Sequence, residues 1–119
     1  NYNYSFLSMS SFINPITKVK DPINAPKNKA NFKLQYTNHN GKFNSSISLR
    51  YVEKFPWQSG VYFGSIGPYT IFDFHARYQI IDKVAGLLTL TNIFNDSHIE
   101  IQGGPAIGRL LMLRLQAEL

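Results

Sequence analysis

The sequence predicts an all-β chain: about six antiparallel strands from a larger transmembrane β-barrel. Three observations carry this. In the last stretch Leu111, Leu113, Leu115, Ala117 and Leu119 alternate with Met112, Arg114, Gln116 and Glu118. A period of two gives a strand with one apolar and one polar face. The same alternation recurs upstream, and the connections between strands are alternately long and short, as in a barrel whose two rims differ. Finally, no run approaches the roughly 18 apolar residues of a membrane helix, yet aromatic residues make up 14% of the chain, which suits interfacial girdles.

The elements follow in order. A first strand over residues 1–12 carries Tyr2, Tyr4 and Phe6 on one face, with the frame blurred at Leu7 and Met9. Residues 13–29 contain Pro15, Pro22 and Pro26 and form a loop, because proline cannot donate to a ladder. Strand two, 30–37, sets Ala30, Phe32, Leu34 and Tyr36 against Asn31, Lys33, Gln35 and Thr37. The Asn40-Gly41 step then marks a hairpin. Strand three, 43–53, has Phe43, Ile47, Leu49 and Tyr51 opposite Asn44, Ser46, Ser48 and Arg50. A long loop over 54–69, rich in glycine and proline, should lack regular structure. Strand four, 70–80, opposes Phe72, Phe74, Ala76, Tyr78 and Ile80 to Asp73, His75, Arg77 and Gln79. A tight turn at Asp82-Lys83 leads to strand five, 86–94, where Leu87 and Ile93 leave the frame open. The third long loop, 95–108, holds Gly103, Gly104, Pro105 and Gly108, and strand six closes the chain.

Short turns face the periplasm and long loops the exterior in outer-membrane barrels, so the C-terminus should be periplasmic. Six strands are too few to close, since single-chain barrels begin at eight. The chain therefore reads as a C-terminal segment of a barrel, or one part of a split one. It opens at Asn1 with neither Met nor a signal-peptide pattern, which fits processing or excision from a longer polypeptide. A soluble β-sandwich would also alternate; the large charged residues on the polar face and the long–short order favour the barrel.

Bulk properties exclude more than they assign. Mean hydropathy is −0.18, uninformative for barrel strands that are apolar on one side only. Absence of cysteine rules out disulfide frameworks and thiolate metal sites. The formal charge of +5 comes largely from lysines scattered over loops and strand ends, with neither a basic helix nor an RNA-binding aromatic signature, so nucleic acid is not an expected partner.

Several residues and motifs together carry a resemblance. They are Pro26 to Tyr36 (PKNKANFKLQY), Arg50-Tyr51, Asp73, Tyr78, Thr91-Asn92-Ile93-Phe94-Asn95, Gly103-Gly104-Pro105 and Gly108-Arg109, followed by the alternating terminus. In that order they resemble the C-terminal end of the barrel of TonB-dependent outer-membrane receptors. The Asn-aliphatic-Phe-Asn element and the Gly-Arg pair are the most specific parts. The chain departs from the family in ending on Leu119 rather than an aromatic. The resemblance implies a 22-stranded barrel in the Gram-negative outer membrane, an N-terminal plug absent here, and energisation by the TonB complex. It implies nutrient uptake rather than catalysis.

On this reading Phe72, Phe74, Tyr78, Leu111, Leu113, Leu115 and Leu119 face lipid. Lys33, Arg50, Asp73, His75, Arg77, Arg114 and Glu118 face the lumen. Trp57, Tyr62, Phe63 and Tyr69 in the second long loop are candidate contacts for a ligand or a surface lipoprotein lid, with interfacial anchoring as the competing role. The expected partners are outer-membrane lipid, the rest of the barrel and its plug. No catalytic, cofactor or metal residues are expected. His39, His75 and His98 fall at three different heights and cannot share a zinc. No nucleophile has an orienting base, and no carboxylates are paired for catalysis. Gly103, Gly104 and Gly108 precede a strand, not the helix N-terminus that a phosphate cradle needs. A non-transporting outer-membrane barrel component remains the alternative within the same fold.

Overall fold

A computed structural model describes residues 2–6, 11–16, 18, 20–59 and 61–118, with residues 2–6, 11, 12, 21, 22 and 62 described by their backbone alone. The strands are β1 (Tyr2–Phe6), β2 (Ser11–Ile13), β3 (Lys20–Pro22), β4 (Asn28–Thr37), β5 (Phe43–Val52), β6 (Phe55–Ser59), β7 (Tyr62–Ile66), β8 (Tyr69–Ile81), β9 (Val84–Thr91) and β10 (Leu110–Ala117). Six of them build one antiparallel sheet in the order β1-β4-β5-β8-β9-β10, while β2-β3 and β6-β7 are separate two-stranded ladders. Among the described residues there is no helix, and the sheet is open, with β1 and β10 at its edges.

All three long connections, 7–27, 53–68 and 92–109, leave one end of the sheet, here termed the loop end. The short ones, 38–42 and 82–83, lie at the turn end. Local chemistry sets both short turns. Gly41 takes φ +71°, and Phe43 N donates to Asn38 Oδ1 at 3.0 Å, which closes the first. At the second, a register irregularity between Gln79 and Ile81 is held by Gln79 Nε2, which donates to Ile81 O at 2.8 Å.

Register converts the alternation into two continuous faces. Lys33 pairs with Ser48 and Ser48 with Asp73; Ser46 pairs with His75, His75 with Thr89, and Thr89 with Met112; Arg77 pairs with Leu87, and Leu87 with Arg114. Directly paired residues share a side, so these form one polar face. Leu34-Ile47-Phe74-Leu90-Leu111 and Ala76-Leu88-Leu113 are rows of the opposite face. The frame left open by Leu87 is thereby resolved: Leu87 lies on the polar side between two arginines.

Several sequence expectations change. The first strand does not run to residue 12, because Ser11–Ile13 pairs with Lys20–Pro22 in its own ladder; Leu7 and Met9 lie outside the described residues. The 54–69 segment is a hairpin, not an irregular loop: Phe55 pairs with Ile66 and Trp57 with Gly64. Its apolar residues at both ends have a buried place to go, which outweighs the glycines and prolines. Pro56 is accommodated on a short two-stranded ladder with a free edge. Strand five ends at Thr91, because Asn92 and Asn95 adopt left-handed φ of 54° and 56°. Asparagine tolerates that region better than most residues.

The core sits at the loop end. Val52, Phe55, Ile66, Tyr69 and Ile71 form the buried cluster, with Trp57 and Ile99 packed against it. Elsewhere, among the described residues, the sheet has no second layer. The radius of gyration is 19.6 Å, against about 13.5 Å for a compact domain of this length.

Candidate functional site

Val52 pairs with Tyr69 and Arg50 with Ile71. The buried cluster therefore lies on the same side as Arg50 and Asp73, and the β6-β7 hairpin folds over the polar face. The 92–109 segment folds over it too. The His98 ring stacks on Tyr69 with centroids 4.5 Å apart and planes 27° from parallel. Glu100 Oε1 lies 3.4 Å from His98 Nε2 and 3.5 Å from Arg50 Nη2. His98 Nδ1 faces the Asp96 carbonyl at 2.9 Å. A carbonyl only accepts, so that nitrogen carries the hydrogen. Gln102 lies over Gly64, where a Cβ would come within 3.1 Å of its side-chain amide carbon.

The first long connection joins this cap. Asn24 Nδ2 donates to Gln58 O at 2.7 Å, and Gln58 N donates to Asn24 Oδ1 at 2.8 Å. One side-chain amide thus imitates a strand partner for β6. All three long connections are stitched into one layer over the polar face.

The 92–109 segment is held by asparagines. Asn92 N donates to Asp73 Oδ1 at 2.9 Å, and Asn92 Nδ2 donates to Asp96 O at 2.9 Å. Asp96 N donates back to Asn92 Oδ1 at 2.9 Å. Arg109 N donates to Asn95 Oδ1 at 2.9 Å, and a Cβ on Gly108 would lie 3.1 Å from that same oxygen. The Asn-aliphatic-Phe-Asn and Gly-Arg elements are thus two sides of one knot that launches β10 beside β9. Between knot and sheet lies a polar hollow of about 290 Å³, lined by Arg50, Asp73, Asn92, His98 and Glu100 among others.

Further toward the turn end the polar face holds a second hollow of about 230 Å³, with Gln35, Asn44, Ser46, His75, Arg77 and Thr89 in its wall. His75 Nδ1 is 3.3 Å from Thr89 Oγ1, and Arg77 Nη2 donates to Gln79 Oε1 at 2.9 Å. No group of three His, Cys, Asp or Glu side chains able to hold a metal ion occurs among the described residues.

The opposite face is apolar and open. Leu34, Ile47, Leu111, Leu113 and Leu115 are exposed, Leu113 at 75%. Aromatics border this band at both ends. Tyr36 and Phe43 pack with centroids 6.4 Å apart, and Phe43 pairs with Tyr78, at the turn end. Phe94 meets Phe72 edge-on at 5.0 Å, near Tyr51, at the loop end. Phe43 and Tyr51 are eight residues apart on β5, about 26 Å along the strand. The usual barrel tilt brings that to roughly 20 Å, near the ~25 Å apolar band of outer-membrane barrels. No helix of the described residues is long and apolar enough to cross a membrane, which leaves crossing by strands untouched.

The structure brings together Lys33, Arg50, Asp73, His75, Arg77 and Arg114 on one face. It brings Phe72, Phe74, Tyr78, Leu111, Leu113 and Leu115 together on the other. Glu118 lies just beyond β10, where its N–H donates to Lys83 O at 2.9 Å. Leu119 and the Tyr62 side chain lie outside the described residues. Of the loop aromatics, Phe63 is 67% exposed, Trp57 is half-buried against the core cluster, and Tyr69 is enclosed under His98. Tyr69 is thus a core residue of the cap, not an outward contact: its place at the start of β8 turns its side chain toward the buried side. Asn24 and Gln102 were not legible as cap residues.

No protein-family model matches the chain, and no curated protein matches it. Among solved structures it is similar to the receptor in the FpvAI–pyocin S2 complex, with a TM-score of 0.66 and 18% identity. The match covers 85% of this chain and 15% of that one. FpvAI is a TonB-dependent receptor. At this identity the likeness shows a shared strand arrangement, an antiparallel all-β sheet consistent with part of a β-barrel.

Proposed function

We propose that the chain forms the C-terminal strands of an outer-membrane active-transport receptor of the TonB-dependent type. One observation carries the reading. A single sheet presents an exposed apolar band bordered by aromatics on one side, and a polar face roofed by its long connections on the other. A soluble sandwich would cover that apolar band with a second sheet. The likeness to FpvAI adds a receptor whose strands run the same way.

In this reading Phe72, Phe74, Tyr78, Leu111, Leu113, Leu115 and Leu119 meet lipid. Lys33, Arg50, Asp73, His75, Arg77, Arg114 and Glu118 meet the barrel interior and its plug. The loop end is extracellular and the C-terminus periplasmic. No residue performs chemistry and no cofactor is held; the nutrient is a scarce solute such as a metal chelate, glycan or peptide. Val61 and Phe63 of the hairpin are exposed and available to a ligand or a lid protein.

The test uses the full-length parent in its native cells. Uptake that collapses on dissipating the proton-motive force, with the parent still in the outer membrane, is the expected result. An outer-membrane parent with no energy-dependent uptake of any scarce solute points to a non-transporting barrel component. A parent that stays in the soluble fraction overturns the reading altogether.

A further inference from the structure

His98 is 8% exposed, lies flat against Tyr69, and has an oxygen in front of each ring nitrogen. Nδ1 is 2.9 Å from the Asp96 carbonyl, which also accepts from Asn92 Nδ2 at 2.9 Å. That carbonyl is anchored, so Nδ1 keeps its hydrogen whether the ring is neutral or charged. Nε2 is 3.4 Å from Glu100 Oε1. In the neutral ring Nε2 carries a lone pair and opposes the carboxylate oxygen, two acceptors with no proton between them. In the imidazolium both nitrogens donate. Arg50 Nη2 lies 3.5 Å from the same oxygen, which makes Glu100 the anion between two cations.

These groups come from different elements. His98 and Glu100 belong to the 92–109 connection, Arg50 to β5 and Tyr69 to β8. The remaining charged group in the wall of this hollow, Asp73 on β8, accepts from Asn92 N at 2.9 Å. Asp96 meets the ring through its backbone carbonyl. Gln102, two residues beyond Glu100, lies over Gly64 of the β6-β7 hairpin. Without the proton on Nε2, Glu100 keeps only the long, partly exposed pairing with Arg50 and faces a lone pair in place of a donor. The stretch that carries Gln102 then loses one of its ties to the sheet.

We infer that His98 and Glu100 form a proton-operated latch on the roof of the polar face: the charged ring fastens the 92–109 connection to the sheet, and loss of the proton loosens it together with its contact on the hairpin. The sign follows from linkage. The fastened form uses the proton and the loosened form does not, so falling pH favours closure. Histidine is the side chain whose charge ordinarily changes between about pH 5 and 8. The latch stands on the loop-end geometry and goes beyond the transport reading.

The test is hydrogen–deuterium exchange of the full-length parent in detergent at about pH 5.5 and 8.5, each rate divided by the intrinsic rate at that pH. The readout is the stretch 97–107, in which the His98, Gly104 and Ile107 amides are hydrogen-bonded. It should be protected roughly fivefold more at the lower pH, while β5 and β8 change little. Glu100→Gln, at a side chain 35% exposed, keeps the fold and should abolish the difference. His98→Gln, which cannot take up a charge, should abolish it too; if that variant unfolds the cap, Glu100→Gln decides alone. Wild-type protection that is equal at the two pH values, or lower at pH 5.5, overturns the latch. A pH difference that survives in folded Glu100→Gln overturns it as well, because the proton then acts elsewhere.

Discussion

Asn92 concentrates more backbone accounting than any other side chain at the loop end. It is 3% exposed, holds a left-handed φ of 54°, and its amide satisfies both Asp96 N–H and Asp96 C=O. Replacing it by Ala removes those partners and leaves a Cβ residue in a region that favours Gly or Asn. Asn92→Ala should cost about 2–4 kcal/mol, and Asn92→Gly, which keeps the conformation, about 1–2 kcal/mol less. Urea unfolding of the embedded parent, followed through Trp57 fluorescence, gives both values; equal losses in the two variants would show that conformation plays no part. The sequence marked the Thr91–Asn95 motif only by resemblance. Its physical reason lies in groups distant along the chain, Phe72 O and Asp73 Oδ1 among them, on which composition has no purchase. Arg50 teaches the opposite lesson. Its pairing with Glu100 is long and partly exposed, so Arg50→Gln should change stability by no more than about 1 kcal/mol.

At the scale of elements, the main strands were legible because each obeys a period of two and faces opposite environments. β4, β5 and β8 match the expected spans to within a few residues. Leu87 was ambiguous from sequence, since one apolar residue in a polar frame has no partner until the register with Arg77 and Arg114 is known. The β6-β7 hairpin was missed for a related reason. Glycine and proline signalled a loop, while the burial of Phe55 and Ile66 depends on Val52 and Ile71, which lie on other strands. The faces themselves make a sharp prediction. Leu113 and Arg114 are adjacent on β10 and lie on opposite sides. Leu113→Arg should cost roughly 2–4 kcal/mol if it meets the bilayer midplane, and Arg114→Gln far less. Unfolding of the two variants in the same lipid would expose a wrong frame through equal costs or a reversed order.

At the scale of the whole molecule, the described residues form a cap at one end of a sheet that they leave uncovered elsewhere. Among the described residues the two edge strands, β1 and β10, present unpaired backbone groups, and the apolar face has no cover. Residues 1–119 expressed alone should aggregate, or require detergent together with the rest of the barrel. A monodisperse soluble monomer with a cooperative melt, by size exclusion and calorimetry, would falsify that expectation.

The Asn24–Gln58 clasp carries one further implication, for how such chains can be varied. A side chain in the first long connection completes the backbone pairing of the second, and Gln102 of the third lies over Gly64 of the second while His98 stacks on Tyr69 at the start of β8. Surface loops ordinarily change length and composition independently of each other. Here a graft of any single long connection from another barrel would leave its neighbours with unanswered amides and an uncovered aromatic. The three are heritable as a set: chimeras that exchange them together keep the roof, and those that exchange them singly lose it.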